Sequence, residues 1–136
     1  MSFLPLSDVE INHETEPFWA ALHEERLMLP RCNSCNCVVW YPRAMCPECH
    51  STALTWHQMS GNATVYSYSI VAKGNGRWKD SGPYVVAYVQ LDEGPRLLTN
   101  IVNIDPTQVT IDMRVSAVYD TDQGGRVLLR FAPTFC

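Results

Sequence analysis

The stretch that decides the fold is RCNSCNCVVWYPRAMCPECH, residues 31–50. It holds two Cys-x-x-Cys pairs, Cys32 with Cys35 and Cys46 with Cys49, separated by ten residues. Two such pairs let four thiolates converge on one tetrahedral ion, at about 2.3 Å for each zinc–sulfur bond. Ten residues are fewer than the roughly 15–20 that often separate such pairs, but they suffice for a tight hairpin. The spacing therefore predicts a zinc ribbon with these four cysteines as ligands.

A metal held by four thiolates has no open position for water or substrate, so the predicted site is structural rather than catalytic. Iron is the alternative metal that the sequence leaves open. Cys37 competes with Cys35 as a ligand, but the paired spacing favours Cys35. We expect His50, directly after the second pair, to belong to the turn. Arg31 and Arg43 either offset the negative charge of the thiolates or are ordinary solvated arginines.

The chain has six cysteines in 136 residues, which in a secreted protein would suggest disulfides. Its N-terminus, MSFLPLSD, has neither the basic region nor the long apolar region of a secretory signal. No apolar run approaches the roughly 18 residues of a membrane-spanning helix. We therefore expect a cytoplasmic protein with reduced thiols, including a free thiol at Cys136.

Length and charge exclude several function classes. A chain of 136 residues is too short for a dinucleotide-binding domain with a substrate domain, or for a (β/α)₈ barrel. The formal net charge of −4 arises within residues 1–58, because the charges of residues 59–136 balance. Neither part has the clustered lysines and arginines of a nucleic-acid-binding surface. The chain also contains no HExxH or GxSxG pattern and no other nucleophile-and-base arrangement.

The flanking sequence predicts a mainly β protein with one N-terminal helix. Residues 1–14 indicate an extended arm, and a helix begins near Thr15, with Pro17 in its first turn and Phe18 and Leu22 on one face. Beyond the cysteines, five segments alternate between apolar and polar residues: 64–71, 84–91, 96–104, 113–119 and 126–131. Open edges would be a liability on so small a sheet, so we expect the strands to close into a small barrel.

We divide the chain into three parts. The arm and helix span 1–30 and are closed by Pro30, the zinc ribbon spans 31–58, and the barrel spans 59–136. Within the barrel, 122–125 is predicted to be a hairpin loop because it contains two glycines.

One loop of the barrel carries Lys73, Arg77 and Lys79 beside Trp78. Three cations and an aromatic ring suit a phosphate-bearing ligand whose own ring lies against the indole. The alternative is a solvated loop in which Trp78 caps the barrel or meets a partner.

The other tryptophans and the histidines carry less information. We expect Trp56 to lie in the core, and we leave Trp19 and Trp40 open between core and interface. Three histidines are expected to be ordinary surface residues: His13, His23 and His57.

Taken together, these motifs resemble the DUF35 family over about residues 16–133. The resemblance rests on the following segments: Phe18-Trp19, Arg26-Leu27, Arg31-Cys32-Asn33-Ser34-Cys35, Tyr41-Pro42-Arg43, Cys46-Pro47-Glu48-Cys49, Asp112-Met113-Arg114-Val115 and Arg130-Phe131-Ala132-Pro133. The family usually has glycine where this chain has Asn36, His50 and Asp112. Because Asn and His tolerate a left-handed backbone, we expect the two cysteine turns to survive.

The resemblance implies an N-terminal helical segment, a rubredoxin-like zinc ribbon and a five-stranded OB-fold. It also implies a non-catalytic accessory subunit that binds a thiolase-superfamily enzyme and helps to hold or channel its acyl-CoA. Such partners include acyltransferases, 3-hydroxy-3-methylglutaryl-CoA synthase-type enzymes and steroid side-chain aldolases. The residues expected to contact ligand or partner are Phe18, Trp19, Trp40, Tyr41, Lys73, Arg77, Trp78 and Lys79.

Two alternatives stay open. Zinc ribbons and OB-folds also occur in nucleic-acid-binding proteins, although the charge distribution argues against that function here. The other alternative is a stand-alone acyl-CoA-binding protein or hydrolase; without a nucleophile we do not expect hydrolysis.

Overall fold

The computed structural model describes residues 4–6, 9–121 and 124–134. Cys136 and the first half of the predicted loop at 122–125 lie outside the described residues. The described chain is mainly β, as predicted. Its elements are α1 (Glu16–His23), β1 (Met28–Cys32), β2 (Leu54–Gln58), β3 (Asn62–Val71), β4 (Tyr84–Leu91), β5 (Arg96–Ile101), β6 (Arg114–Thr121) and β7 (Val127–Pro133).

Helix α1 begins where the sequence predicts. Pro17 lies in the first turn, where no backbone N–H is needed for the helix. Thr15 occupies the N-cap position, but its hydroxyl accepts the N–H of Asn12 at 3.1 Å instead of capping a helix N–H. The helix ends well before Pro30, because Glu25 adopts a left-handed φ of 57° and turns the chain. Its buried face consists of Phe18, Trp19, Ala21 and Leu22.

Strands β1 and β2 pair antiparallel and carry the cysteine hairpin between them. Pro30 lies inside β1, opposite Trp56, rather than closing a helical segment. Its carbonyl accepts the N–H of Val39 at 2.8 Å, on the edge away from β2. A proline at that edge removes no hydrogen bond from the β1–β2 ladder, so the strand tolerates it.

The remaining strands close into the predicted five-stranded barrel, in the order β3-β4-β5-β7-β6. The pairs are antiparallel except for β5 and β7, which run parallel. Strand β4 has the predicted bounds, whereas β5 ends at Ile101 and not at residue 104. The extended backbone stops there because Asn103 adopts a left-handed φ of 60°.

One hydrophobic core joins the helix, the ribbon and the barrel. Its members include Phe18 and Leu22 of α1, Leu29 of β1, Val38 of the cysteine hairpin, and Val65, Val89, Leu97 and Phe131 of the barrel. Trp56 is half-buried and packs against this core. The division at residues 30 and 58 remains a prediction, and the packing runs across both boundaries. No helix among the described residues has the length and apolar character needed to cross a membrane.

Candidate metal centre and aromatic cleft

Four thiols meet at the tip of the ribbon. The Sγ atoms of Cys32, Cys35, Cys46 and Cys49 all lie within 4.8 Å of one another. The Cys32–Cys49 sulfurs are 3.4 Å apart and the Cys35–Cys46 sulfurs 3.6 Å apart. A tetrahedral zinc ion with bonds of about 2.3 Å separates its sulfurs by about 3.8 Å. The four side chains therefore fit one tetrahedral metal ion.

Both cysteine pairs are built by the same backbone turn. The N–H of Asn36 donates to the Cys32 carbonyl at 2.9 Å, and the N–H of His50 donates to the Cys46 carbonyl at 2.9 Å. Asn36 and His50 have φ values of 64° and 65°, the left-handed conformation for which glycine is usual. The two turns thus form without glycine, and His50 belongs to its turn rather than to the thiol cluster.

The turns also set the acidity of the thiols. Backbone N–H groups of Cys35 and Ser34 lower the pKa of the Cys32 thiol to about 6. In the second pair, N–H groups of Cys49 and Glu48 lower the pKa of Cys46 in the same way. The first cysteine of each pair is therefore favoured as a thiolate, which is the form that binds a metal.

Cys37 lies outside the cluster of four thiols. It is half-buried, and its Sγ bonds to the Val38 carbonyl at 3.5 Å. The Arg43 Nε–H donates to the Tyr41 carbonyl at 3.1 Å, so Arg43 supports the hairpin. The Nε of Arg31 is buried and has no hydrogen-bond partner among the described residues.

A cleft of about 260 Å³ opens where α1, the ribbon and the barrel meet. Its aromatic wall is formed by Phe18, Trp19, Trp40, Tyr41 and Trp78. The opposite wall comes from β5 and β7, through residues 97–100 and 128–130. The structure thus brings five of the eight predicted contact residues together, and Lys73, Arg77 and Lys79 are not part of this lining.

Four of the five rings of the aromatic wall form one edge-on cluster. The Phe18 ring centroid lies 4.9 Å from that of Trp19 and 5.5 Å from that of Trp40, and the Trp40 and Tyr41 centroids are 5.1 Å apart. The indole N–H of Trp19 donates to the Tyr41 hydroxyl at 3.3 Å. Trp19 is buried, Trp40 is half-buried and Tyr41 is exposed. The buried Trp19 therefore holds Tyr41 in place, whereas Trp40 and Tyr41 form the solvent-accessible part of the aromatic wall.

The barrel wall exists because β5 and β7 diverge. The two strands pair at Ile101 and Phe131. Two residues earlier in each strand, the Thr99 hydroxyl donates to the Leu129 carbonyl at 3.3 Å. Leu98, on the rim of the resulting gap, is 58% exposed. Alternation marks Leu98 only as an outward-facing strand residue, so sequence reasoning missed it.

The loop at 73–79 meets the cleft at one residue. Trp78 lines the cleft and packs obliquely on Tyr84, with ring centroids 4.6 Å apart. Lys73 and Lys79 are exposed. Arg77 donates from Nη1 to the Leu6 carbonyl at 3.1 Å. The cationic residues of this loop therefore lie outside the aromatic wall, and Arg77 holds the N-terminal segment.

Comparison with known proteins identifies the family. Residues 19–55 match the ChsH2 rubredoxin-like zinc ribbon domain, and residues 56–120 match the ChsH2 C-terminal OB-fold domain. A DUF35 domain-containing scaffold protein of Methanocaldococcus jannaschii is 34% identical over 103 residues, which cover 74% of this chain and 73% of that protein. This chain belongs to the DUF35 family. The zinc-ribbon match and the cysteine cluster together make the ribbon a structural metal centre.

Two further comparisons match proteins that are named as an enzyme subunit and as an aldolase. The chain is 38% identical over 105 residues to a probable enoyl-CoA hydratase alpha subunit of Thermomonospora curvata, but it spans 33% of that protein. In the solved Ltp2-ChsH2(DUF35) aldolase, one chain superposes with a TM-score of 0.82 and is 32% identical, covering 93% of this chain and 98% of that one.

Proposed function

We propose that this DUF35 chain is a non-catalytic accessory subunit that binds a thiolase-superfamily enzyme acting on CoA thioesters. In this proposal, the partner carries the catalytic residues of an aldolase or acyltransferase, and steroid side chains are among its candidate substrates. The DUF35 chain helps to bind or channel the acyl-CoA. The observation that carries the proposal is the match over 98% of a chain in the Ltp2-ChsH2(DUF35) aldolase.

The aromatic cleft is the proposed contact surface. Protein interfaces are enriched in Trp, Tyr and Phe at their buried centres. The aromatic wall of the cleft, which includes Trp40 and Tyr41, has this composition. Leu98, at 58% exposure, extends this apolar surface onto the barrel. The exposed cations of the 73–79 loop, Lys73 and Lys79, are proposed to face phosphate groups of the acyl-CoA.

The metal centre has a supporting role in this proposal. Cys32, Cys35, Cys46 and Cys49 are proposed to hold one zinc ion, which fixes the hairpin that carries Trp40 and Tyr41. A closed four-thiolate site supplies folding free energy and offers no coordination position to a substrate. Metal analysis of the purified protein distinguishes zinc from iron.

Co-purification tests the proposal. The chain is co-expressed with a tagged thiolase-superfamily protein from the same genome, and the complex is isolated through the tag. We expect both chains to elute together, with CoA-thioester turnover by the complex and none by the DUF35 chain alone. Two separately stable and separately active proteins would contradict the proposal.

A matched pair of variants locates the interface. Leu98→Asp places a charge on the exposed rim of the cleft, and we expect it to abolish co-purification without lowering Tm. Ile111→Asp is the control, because Ile111 is 53% exposed and does not line the cleft. Equal retention of the partner by both variants would exclude the cleft as the interface.

A further inference from the structure

The loop that joins β3 to β4 spans residues 72–83 and contains one buried residue, Gly74. Its neighbours Lys73 and Asn75 are exposed. The atoms that lie against Gly74 belong to Trp78: a Cβ added at Gly74 would lie 2.5 Å from the Trp78 carbonyl oxygen and 2.6 Å from the Trp78 Cβ. Residues 74 and 78 therefore approach so closely that no room is left for a side chain at position 74.

Two glycines of this loop are needed for different reasons. Gly76 has a left-handed φ of 58°, and an added Cβ there would meet nothing within 4 Å. Gly74 is not among the residues with a positive φ, so the missing space, and not a left-handed backbone, is the reason for glycine at this position. Because the nearest atom is a backbone carbonyl oxygen rather than the end of a flexible side chain, a Cβ at position 74 would displace residue 78.

Residue 78 is also fixed by hydrogen bonds within the loop. The Trp78 N–H donates to the Asn75 carbonyl at 3.0 Å, and the Trp78 carbonyl, which faces Gly74, accepts the N–H of Ser81 at 3.2 Å. The indole packs on the ring of Tyr84 at the start of β4, with ring centroids 4.6 Å apart. The Trp78 side chain is therefore held in place in the free protein, so contact with a partner costs little further ordering.

Trp78 is the one ring of the aromatic wall that the barrel supplies, because the other four rings belong to α1 and to the ribbon. A displacement of residue 78 would therefore move the barrel side of the wall relative to those four rings. The shape of the cleft thus depends on the absence of a side chain at position 74.

We propose that Gly74 is a positioning residue: its lack of a side chain holds the Trp78 indole in the cleft, where the indole contacts the partner subunit. Gly74 itself touches neither partner nor ligand and acts through Trp78. The contact with the partner rests on the proposed function, whereas the positioning of the indole does not. Large, pre-ordered aromatic side chains are frequent among the residues that dominate binding at protein interfaces, so a displaced Trp78 should weaken the complex.

The positioning of Trp78 is tested on the full-length, metal-loaded chain without a partner. The chain contains four tryptophans, and in a nitrogen–proton correlation spectrum the indole signal that is lost in Trp78→Phe belongs to Trp78. Gly74→Ala should shift this signal and leave that of Trp56, which does not line the cleft, unchanged. Asn75→Ala is the matched control and should shift the Trp78 signal far less, because it places the same side chain at an exposed neighbouring position. An unmoved Trp78 signal in Gly74→Ala would overturn the proposal.

The effect on binding is measured by calorimetric titration of the chain into the tagged thiolase-superfamily protein. Gly74→Ala and Trp78→Ala should each weaken binding by about tenfold or more, and Asn75→Ala should not. Combining Gly74→Ala with Trp78→Ala should cause no further loss, because the side chain through which Gly74 acts is already absent. Both single variants should keep nearly all of the Tm, since neither residue belongs to the hydrophobic core.

Each contrary result has a defined meaning. Wild-type affinity in Gly74→Ala, or losses that add in the double variant, would overturn the action of Gly74 through Trp78. A large loss of Tm in Gly74→Ala would make Gly74 a structural residue of the loop and would overturn the proposal as well. If the wild-type chain binds no thiolase-superfamily protein, the proposed function fails, while the indole signals still decide the positioning of Trp78.

Discussion

At the scale of single residues, the Cys-x-x-Cys turn determines which cysteines join the metal cluster. The sequence only favoured Cys35 over Cys37 as a ligand. Cys37 is two residues beyond Cys35, yet only Cys35 joins the cluster of four sulfurs. The paired spacing predicted this choice, because a Cys-x-x-Cys turn aims both side chains at one point. The cluster therefore gives a direct test with a control of the same residue type.

Cys46→Ser should abolish metal binding, because it removes a buried ligand from the cluster. We expect the metal content to fall from about one ion per chain to less than about 0.1, and Tm to fall by more than about 10 °C. Elemental analysis and thermal unfolding measure both effects. Cys37→Ser should keep the metal and nearly all of the Tm; equal loss in the two variants would contradict the assignment.

His23 has a role that its sequence context did not reveal. Its Nδ1 lies 2.9 Å from the Trp19 carbonyl and its Nε2 lies 2.9 Å from the Gly125 carbonyl. Only the imidazolium can donate to both carbonyls, since the neutral ring has one N–H. These two hydrogen bonds, that to Trp19 first, raise the pKa of His23.

A raised pKa in the folded state makes stability depend on pH in a defined direction. The contribution of His23 is fully present below the unfolded-state pKa of about 6.5, and it is lost as pH rises through the folded-state pKa. An NMR titration should give a folded pKa above that of a model peptide. His23→Ala should remove the loss of stability over this range; a folded pKa at or below the peptide value would contradict the two hydrogen bonds.

At the scale of elements, alternation located the barrel strands within a few residues, because each strand buries one face. The rule that proline closes a helical segment misplaced Pro30, which lies inside β1. The Pro30 carbonyl, which accepts the N–H of Val39, and the position of the missing Pro30 N–H both lie on the edge of β1 that faces away from β2. The cysteine hairpin covers that edge. A pattern along one segment does not show which edge of a strand will be paired.

The two cysteine turns give a prediction at this scale. His50 has a φ of 65°, so His50→Gly should be neutral or slightly stabilising, because glycine adopts this backbone without strain. His50→Val should cost about 1–2 kcal/mol, since a β-branched side chain clashes in the left-handed region. Chemical denaturation of the metal-loaded protein compares the two. Equal stability of both variants would mean that the turn is not left-handed in solution.

At the scale of the whole molecule, the sequence did not predict the cleft, although all five of its aromatic residues were predicted to contact ligand or partner. Phe18, Trp40 and Trp78 belong to the helix, the ribbon and a barrel loop, and nothing in the spacing of these residues shows that they share one wall. The barrel side depends on the divergence of β5 and β7 next to Ile101 and Phe131.

The shared core predicts cooperative unfolding. Leu29 of the ribbon, Phe18 of the helix and Phe131 of the barrel belong to one buried cluster, so removal of the metal should destabilise the barrel as well. After treatment with a chelator, tryptophan fluorescence and far-UV circular dichroism should report a single transition at a lower Tm. Two separated transitions, with the barrel transition unmoved, would contradict the shared core.

Reconstitution shows whether the chain completes an enzyme. The metal-loaded chain is titrated into a separately purified thiolase-superfamily partner while CoA-thioester turnover is measured. We expect turnover to rise with added chain and to saturate at a fixed molar ratio, and we expect Leu98→Asp not to restore it. If the partner alone already shows full turnover, and the added chain does not change it, then the chain does not complete an enzyme.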